Sequence, residues 1–219
     1  MMRENTALAF PFSDRWEVAR ANRAPARVQR TRERLRHALI ALMSERSYDQ
    51  ISIQDLVKQA GITRATFYLH FGEKNDLFGH AMREVADAFL RLLITAPISE
   101  DINHDRLCSR YDRILNHIRD HATLYRTALC EPGAAPYAAY FSDALEVFSV
   151  ESVRAAAPDA VSQDDAKVRM IGRFCAAGLV GLWRWWLESD MSVPISVVAA
   201  QMADLMMKGP LASAAIPTA

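Results

Sequence analysis

From Val28 to Lys208 the apolar residues of this chain recur at helical spacing, and the residues that break helices are confined to a few junctions. Leu35, Ala38, Leu39, Leu42 and Met43 follow an i, i+3, i+4, i+7, i+8 pattern, which predicts a helix over about Val28 to Arg46. Ile53 to Ala60 and Arg64 to His70 read as two short helices. Leu77, Ala81, Val85, Phe89 and Leu92 then share one stripe of a long fourth helix that Pro97 ends. Breaks at Pro132-Gly133, Pro158, Pro194 and Gly209-Pro210 separate further helices at about 103–119, 121–130, 135–156, 163–189 and 195–208. No run alternates in the manner of a strand, so the expected fold is all-α. The chain divides into a basic extension (1–27), a small helical domain (28–73), a larger helical domain (74–210) and a tail of small residues (211–219).

Net charge is zero, but it is unevenly placed. Residues 1–74 hold 13 Lys/Arg against eight Asp/Glu, and the remainder holds 13 against 18. The N-terminal third therefore suits a polyanion and the rest does not. Arg20, Arg23, Arg27, Arg30, Arg32, Arg34, Arg36 and Arg46 dominate the extension and first helix. Such a run suits phosphate attraction that does not read sequence, with an arm reaching into the minor groove as the alternative.

The most informative segment is Ile51 to Leu77. Ser52 stands before a helix with Asp55 three residues on, a capping-box spacing with a shorter acid than usual. Leu56, Val57 and Ala60 give that helix an inward face. Gly61 suits a tight turn, Ile62 plugs the corner, and Thr63 can cap the next helix. A helix of this length after such a turn is the element that enters the major groove in a helix-turn-helix. Arg64, Ala65 and Tyr68 share a face. Arg64 can donate two bonds to guanine, and the Ala65 methyl can meet a thymine methyl. Thr66, Tyr68 and His70 offer donors for phosphate oxygens, and Lys74 adds charge at the start of the fourth helix.

With T-R-E-R-L and S-I-Q-D-L-V-K-Q-A-G-I-T-R-A-T-F-Y-L-H-F-G-E-K, residues 30–80 resemble the DNA-binding domain of TetR-family regulators. The resemblance implies a three-helix DNA-binding domain followed by a larger helical ligand-binding and dimerisation domain. It also implies DNA contacts at Ser52, Thr63, Arg64, Ala65, Thr66, Tyr68, His70 and Lys74. Glu73 departs from the family, which more often has Ser or Asn there; an acid beside a phosphate must point away or cap the helix.

The larger domain is read from its own residues. The helix over about Ala166 to Glu188 is apolar nearly all round, and the helix at 195–208 offers a second apolar face. Two helices from each subunit would make a four-helix dimer interface, expected at Gly178, Leu182, Trp183, Trp186, Val198, Met202 and Leu205. Aromatic and Met side chains recurring across the domain predict a site for a small apolar ligand, with Phe89, Tyr111, Leu115, Ile118, Tyr125, Phe141 and Phe174 as its lining.

Other classes lack residues to support them. Cys108, Cys130 and Cys175 are isolated, which fits a reduced, cytoplasmic protein. Leu8-Ala9-Phe10 is too short for a signal peptide, and Ala176 to Leu187, interrupted by Arg184, falls short of a membrane span. His117 and His121 have the spacing of a helical metal pair, but only Asp120, Cys108 or His104 could serve as a third ligand and His121 is better read as starting a helix, so neither metal nor cofactor is expected. No nucleophile triad, phosphate-binding glycine loop or HExxH motif points to an enzyme. The expected protein is a homodimeric repressor released from double-stranded operator DNA by a small apolar ligand. Control by a protein partner, and a helical enzyme or scaffold with a coincidental helix-turn-helix, stand as alternatives.

Overall fold

The structure, a computed structural model, describes residues 25–95, 103–132, 135–156 and 165–209. The extension through residue 24 and the tail from residue 210 lie outside the described residues, Arg20 and Arg23 among them. Helices α1 (Ala26–Met43), α2 (Ile53–Ala60), α3 (Arg64–Tyr68) and α4 (Lys74–Thr95) come first, with a 3-10 turn at Tyr48–Gln50 between α1 and α2. Then follow α5 (His104–Asp120), α6 (Ala122–Cys130), α7 (Ala135–Ala156), α8 (Asp165–Glu188) and α9 (Ile195–Lys208). No strand occurs among the described residues, so the all-α expectation holds.

The periodic stripes explain the packing. Leu35, Ala38, Leu39 and Leu42 bury the inner face of α1 against α2 and α4. Leu77, Ala81, Val85 and Phe89 bury one face of α4, which runs on into the larger domain. There α8 packs along α7 and against α6, while α9 lies along α5. Gly172 marks the close crossing of α7 and α8: a Cβ there would stand 2.5 Å from Val150 Cγ2. The turn after α8 is closed by Trp186, whose indole N–H donates to Val193 O at 2.8 Å.

Several sequence expectations change here. Trp183, Trp186, Val198 and Met202 are core residues of the protomer and are not free for a partner. Leu182 and Leu205 are half-buried. Gly178 alone of that set is exposed, with open space around it. The outward stripe of α8 is instead Met170, Phe174, Gly178, Gly181 and Trp185, with Phe174 74% and Trp185 50% exposed. Among the expected ligand-site residues, Phe89, Leu115, Ile118, Tyr125 and Phe141 are packed in the core. Phe89 meets Phe141 and Trp183 edge-on, at centroid distances of 5.2 and 5.7 Å. Phe174 faces outward, and Tyr111 alone of the set lines the cavity described below. The cause is common to all: a helix apolar on every side does not reveal which side its neighbours take.

Phe89→Ala is expected to cost about 3–5 kcal/mol, because its ring fills a fully enclosed aromatic cluster. Gly172→Ala should cost about 1–3 kcal/mol by forcing α7 and α8 apart. Chemical denaturation of both variants checks the pair; an unchanged midpoint for Phe89→Ala would contradict this packing.

Candidate nucleic-acid interface

Local interactions build the α2–turn–α3 unit. At the start of α2 the Asp55 N–H donates to Ser52 Oγ at 3.2 Å, and the Ser52 N–H donates to Asp55 Oδ2 at 3.0 Å, completing the capping box. The Ser52 hydroxyl also donates to Asp55 Oδ2 at 2.7 Å. These bonds, with Arg46 nearby, hold the Asp55 carboxyl below the usual carboxylate range. The cap therefore supports folding at neutral pH and is lost as pH falls through that lowered value. Gly61 ends α2 at φ 61°, ψ 42°, a left-handed conformation that costs a glycine least. The Ile62 N–H reaches back to Val57 O at 3.0 Å, closing the turn. Thr63 then caps α3, its Oγ1 accepting from the Thr66 N–H at 3.1 Å.

A contact from outside the motif fixes the turn. Arg34, on α1, donates from Nη2 to Ala60 O at 2.6 Å and to Gly61 O at 3.0 Å. A Cβ at Gly61 would stand 3.0 Å from that nitrogen. Glycine is favoured by its left-handed dihedrals, and a side chain there would also displace the end of the Arg34 guanidinium. Arg34, expected from its charge to attract phosphate, instead holds the turn that precedes α3.

Phe67 buries the inner side of α3, and Phe71 closes the corner beside it at a centroid distance of 6.0 Å. The opposite side is presented outward. Arg64 and Ala65 are exposed, Tyr68 is 47% exposed, and Arg64 Nη2 donates to Tyr68 Oη at 3.3 Å with its guanidinium 5.7 Å from the ring centroid. This i, i+4 pairing holds Arg64 along the helix with further donors unspent. Leu69, at the end of α3, is 82% exposed, an apolar side chain beside a row of donors that sequence reading passed over. Its position out of register with Phe67 and Phe71 was the available signal. Thr63 and Thr66 hydroxyls bond each other at 2.8 Å, so both are partly spent locally. His70 is half-buried, and burial, then Arg32, push its pKa below the usual histidine value.

Lys74 departs from the sequence reading. Its ammonium donates to Tyr48 O at 2.7 Å and to Ile51 O at 2.9 Å, and lies 4.1 Å from the Tyr48 ring centroid. Burial lowers its pKa. Two of its three donors are engaged inside the fold, because the 3-10 turn leaves carbonyls there that need partners. Glu73 does not cap α4 either. Asp76 does so, its Oδ2 accepting from the N–H groups of Gly72 at 3.0 Å and Glu73 at 3.1 Å.

Comparison with known proteins agrees with this architecture. Residues 35–81 match the model of bacterial regulatory proteins of the tetR family, and residues 108–208 match that of a transcriptional regulator C-terminal region. Among curated proteins the chain is similar to the uncharacterized HTH-type transcriptional regulator YvdT of Bacillus subtilis, 47% identical over 45 residues, covering 20% of this chain and 23% of that protein. It is also similar to the HTH-type transcriptional regulator AcrR of Shigella flexneri, 33% identical over 58 residues, covering 26% and 27%. The match thus spans only about a quarter of these relatives' length. Among solved structures, a putative TetR-family regulator from Syntrophomonas wolfei superposes with a TM-score of 0.65 at 13% identity, covering 87% of this chain and 98% of that one. One from Streptomyces coelicolor gives 0.60 at 19%, covering 85% of each. At such identities the likeness is one of fold.

Arg34→Ala should cost about 1.5 kcal/mol, the low end for a charged hydrogen bond, because the site is only part-buried. Hydrogen exchange at the Ile62 amide should quicken with it. Unaltered exchange there would show that the turn holds without the guanidinium.

Proposed function

We infer that this chain, which belongs to the TetR family of DNA-binding transcriptional regulators, is a homodimeric repressor released from its operator by a small molecule. The observation that carries the DNA reading is the outward face of α3, where Arg64 lies braced along Tyr68 beside Ala65. A helix so presented fits the major groove, with Arg64 facing guanine O6 and N7 and Ala65 facing a thymine methyl. Thr63, Thr66, Tyr68 and His70 then border the phosphates. The amides at the start of α2, set by the Ser52 cap, point to the backbone. Lys74 has one donor left for that purpose. Arg27 and Arg30 are exposed on α1 and add sequence-independent attraction.

The dimer reading rests on α8. Met170, Phe174, Gly178, Gly181 and Trp185 form a continuous apolar stripe on its outer side, and Val197 of α9 is exposed as well. Single exposed apolar residues are ordinary, but a stripe of this length is a surface that association covers. Gly178 and Gly181 have nothing within 4 Å of a Cβ, so a second backbone can approach closely there. A second copy of the same stripe meets it about a two-fold axis, which places two α3 helices on one side of the assembly.

Release follows from α4. It starts at Lys74 beside the DNA unit and ends near Leu93, which lines a cavity between α4, α5, α7, α8 and α9. A molecule entering that cavity presses on the far end of the same helix that sets the pose of α3. To weaken operator binding tenfold it must prefer the non-binding state by about 1.4 kcal/mol.

Two measurements test these roles. Arg64→Ala should cost roughly 1–3 kcal/mol on the specific operator and relax base preference at one position per half-site; unchanged affinity and preference in a titration would reject the assignment. Phe174→Glu should convert a sedimenting dimer to a monomer while far-ultraviolet circular dichroism stays helical. A wild-type chain that sediments as a monomer at micromolar concentration would overturn the dimer.

A further inference from the structure

The cavity reached by Leu93 has a volume of about 220 Å³. Along α8 its lining residues lose exposure in order, from 39% at Ile171 through half-buried Cys175 to buried Leu179 and the fully enclosed Trp183. The same gradient runs along α5, from half-buried Leu107 to buried Tyr111 and Ile114. On α7 it runs from half-buried Val153 to buried Ser149 and Leu145. The cavity is thus a blind pocket. Its deep end is hydrocarbon and the Trp183 ring, and its mouth lies beside Ile171 and the exposed Met207 of α9.

Between mouth and floor stand two hydroxyls without protein partners. Tyr111 is only 6% exposed, and its Oη makes no hydrogen bond with any described residue. Burial pushes its pKa upward, so at neutral pH it is an uncharged phenol that can donate and accept. The Ser149 hydroxyl is likewise without a bond among the described residues. A helical serine can usually bond the carbonyl four residues back, as Ser152 does by donating to Phe148 O at 2.8 Å. Arg110 adds no charge for a guest, because its guanidinium is already engaged and lies 5.1 Å over the Phe148 ring. Burial also keeps the Cys175 thiol protonated. The open hydrogen-bonding positions therefore belong to neutral groups.

These features narrow the guest. An ionised molecule would lose its hydration against a hydrocarbon floor with no open counter-charge to meet it. A pure hydrocarbon would leave both hydroxyls unanswered. An apolar cavity of about 150 Å³ accommodates benzene, and the additional room here admits two or three further heavy atoms. Phe148 and Trp183 give faces and edges for an aromatic ring, and Met206 and Met207 adapt around it.

We propose that this pocket binds a neutral monocyclic aromatic alcohol, ring first, with the ring against Leu179 and Trp183 and the hydroxyl at Tyr111 and Ser149. The assignment deepens the repressor reading and rests on it for the consequence to DNA, but the binding is measured separately.

The test is calorimetric titration of the full chain with three probes. Phenethyl alcohol is the candidate, propylbenzene carries a methyl where the alcohol has its hydroxyl, and phenylacetate is the anion of similar shape. Phenethyl alcohol is expected to bind at least about fivefold more tightly than either of the others. Tyr111→Phe, which keeps the ring in place, should weaken phenethyl alcohol several-fold without weakening propylbenzene. It should also preserve the melting curve, separating loss of a ligand bond from loss of fold. Ser149→Ala, at a helical position that alanine suits, should act in the same direction. Equal or tighter binding of propylbenzene, tighter binding of phenylacetate, indifference to either substitution, or no binding of phenethyl alcohol up to about 10 mM overturns the proposal. An operator titration with bound phenethyl alcohol distinguishes the two levels. Tyr111-dependent binding with unaltered DNA affinity keeps the ligand class and defeats the release reading. Release by other compounds, with no phenethyl alcohol binding, does the reverse.

Discussion

The ammonium of Lys74, lodged among the carbonyls of the Tyr48–Gln50 turn, joins the DNA-binding unit to the rest of the molecule. It bonds Tyr48 O and Ile51 O, while the Tyr48 N–H donates to Glu131 Oε2 at 2.7 Å from the end of α6. The Thr127 hydroxyl donates to the other oxygen of Glu131 at 3.1 Å. Tyr48 Oη donates to Asn75 Oδ1 at 2.7 Å, and Tyr137 Oη, on α7, donates to Asn75 O at 2.9 Å. Around these bonds the rings of Tyr48, Phe78 and Tyr137 pack in sequence at 5.0 and 4.7 Å. A partly desolvated lysine is costly on its own, and here two carbonyls and the nearby Asp49 and Glu131 offset that cost. The 3-10 turn, α4, the end of α6 and α7 are thereby held at one point.

That junction gives α4 a fixed lower end. Its middle is held as well: His117 Nε2 lies 3.1 Å from Val85 O, and Phe89 is clasped by Phe141 and Trp183. Burial and the neighbouring His121 keep His117 below the usual histidine pKa, so the ring is neutral at pH 7 and makes this contact without charge. The helix is thus pinned at its start and packed along its middle. The same helix thus reaches from the DNA-binding unit to the cavity at Leu93.

The same economy of faces shapes α8. Its inner side carries Val168, Ala176, Leu179, Trp183, Trp186 and Leu187 into the core, and its outer side carries Phe174 and Trp185 to the surface. Small residues serve two purposes along it. Gly172 admits the close passage of α7, whereas Gly178 and Gly181 face open space that a partner backbone would fill. The helix thus buries one side in its own protomer and leaves the other exposed.

What could be read from the sequence was what neighbours in sequence decide. The Ser52–Asp55 cap, the left-handed Gly61, the Thr63 cap and the Arg64–Tyr68 pairing involve residues three or four apart, or a single residue's dihedrals. The spans of α2, α7 and α9 follow from periodicity and breakers in the same way. Tertiary structure decided the rest, because each remaining role depends on a group far along the chain. Arg34 meets the turn 26 residues away, and Glu131 meets Tyr48 across 83. Lys74 carries the composition of a phosphate ligand, yet carbonyls that only the folded 3-10 turn presents hold it inward. Trp183 and Trp186 are as apolar as Phe174 and Trp185, and nothing local distinguishes core from surface among them. Only the arrival of α6 and α7 on one side of α8 settles which rings are buried, and with that the wall that Tyr111, Arg110 and Ser149 share.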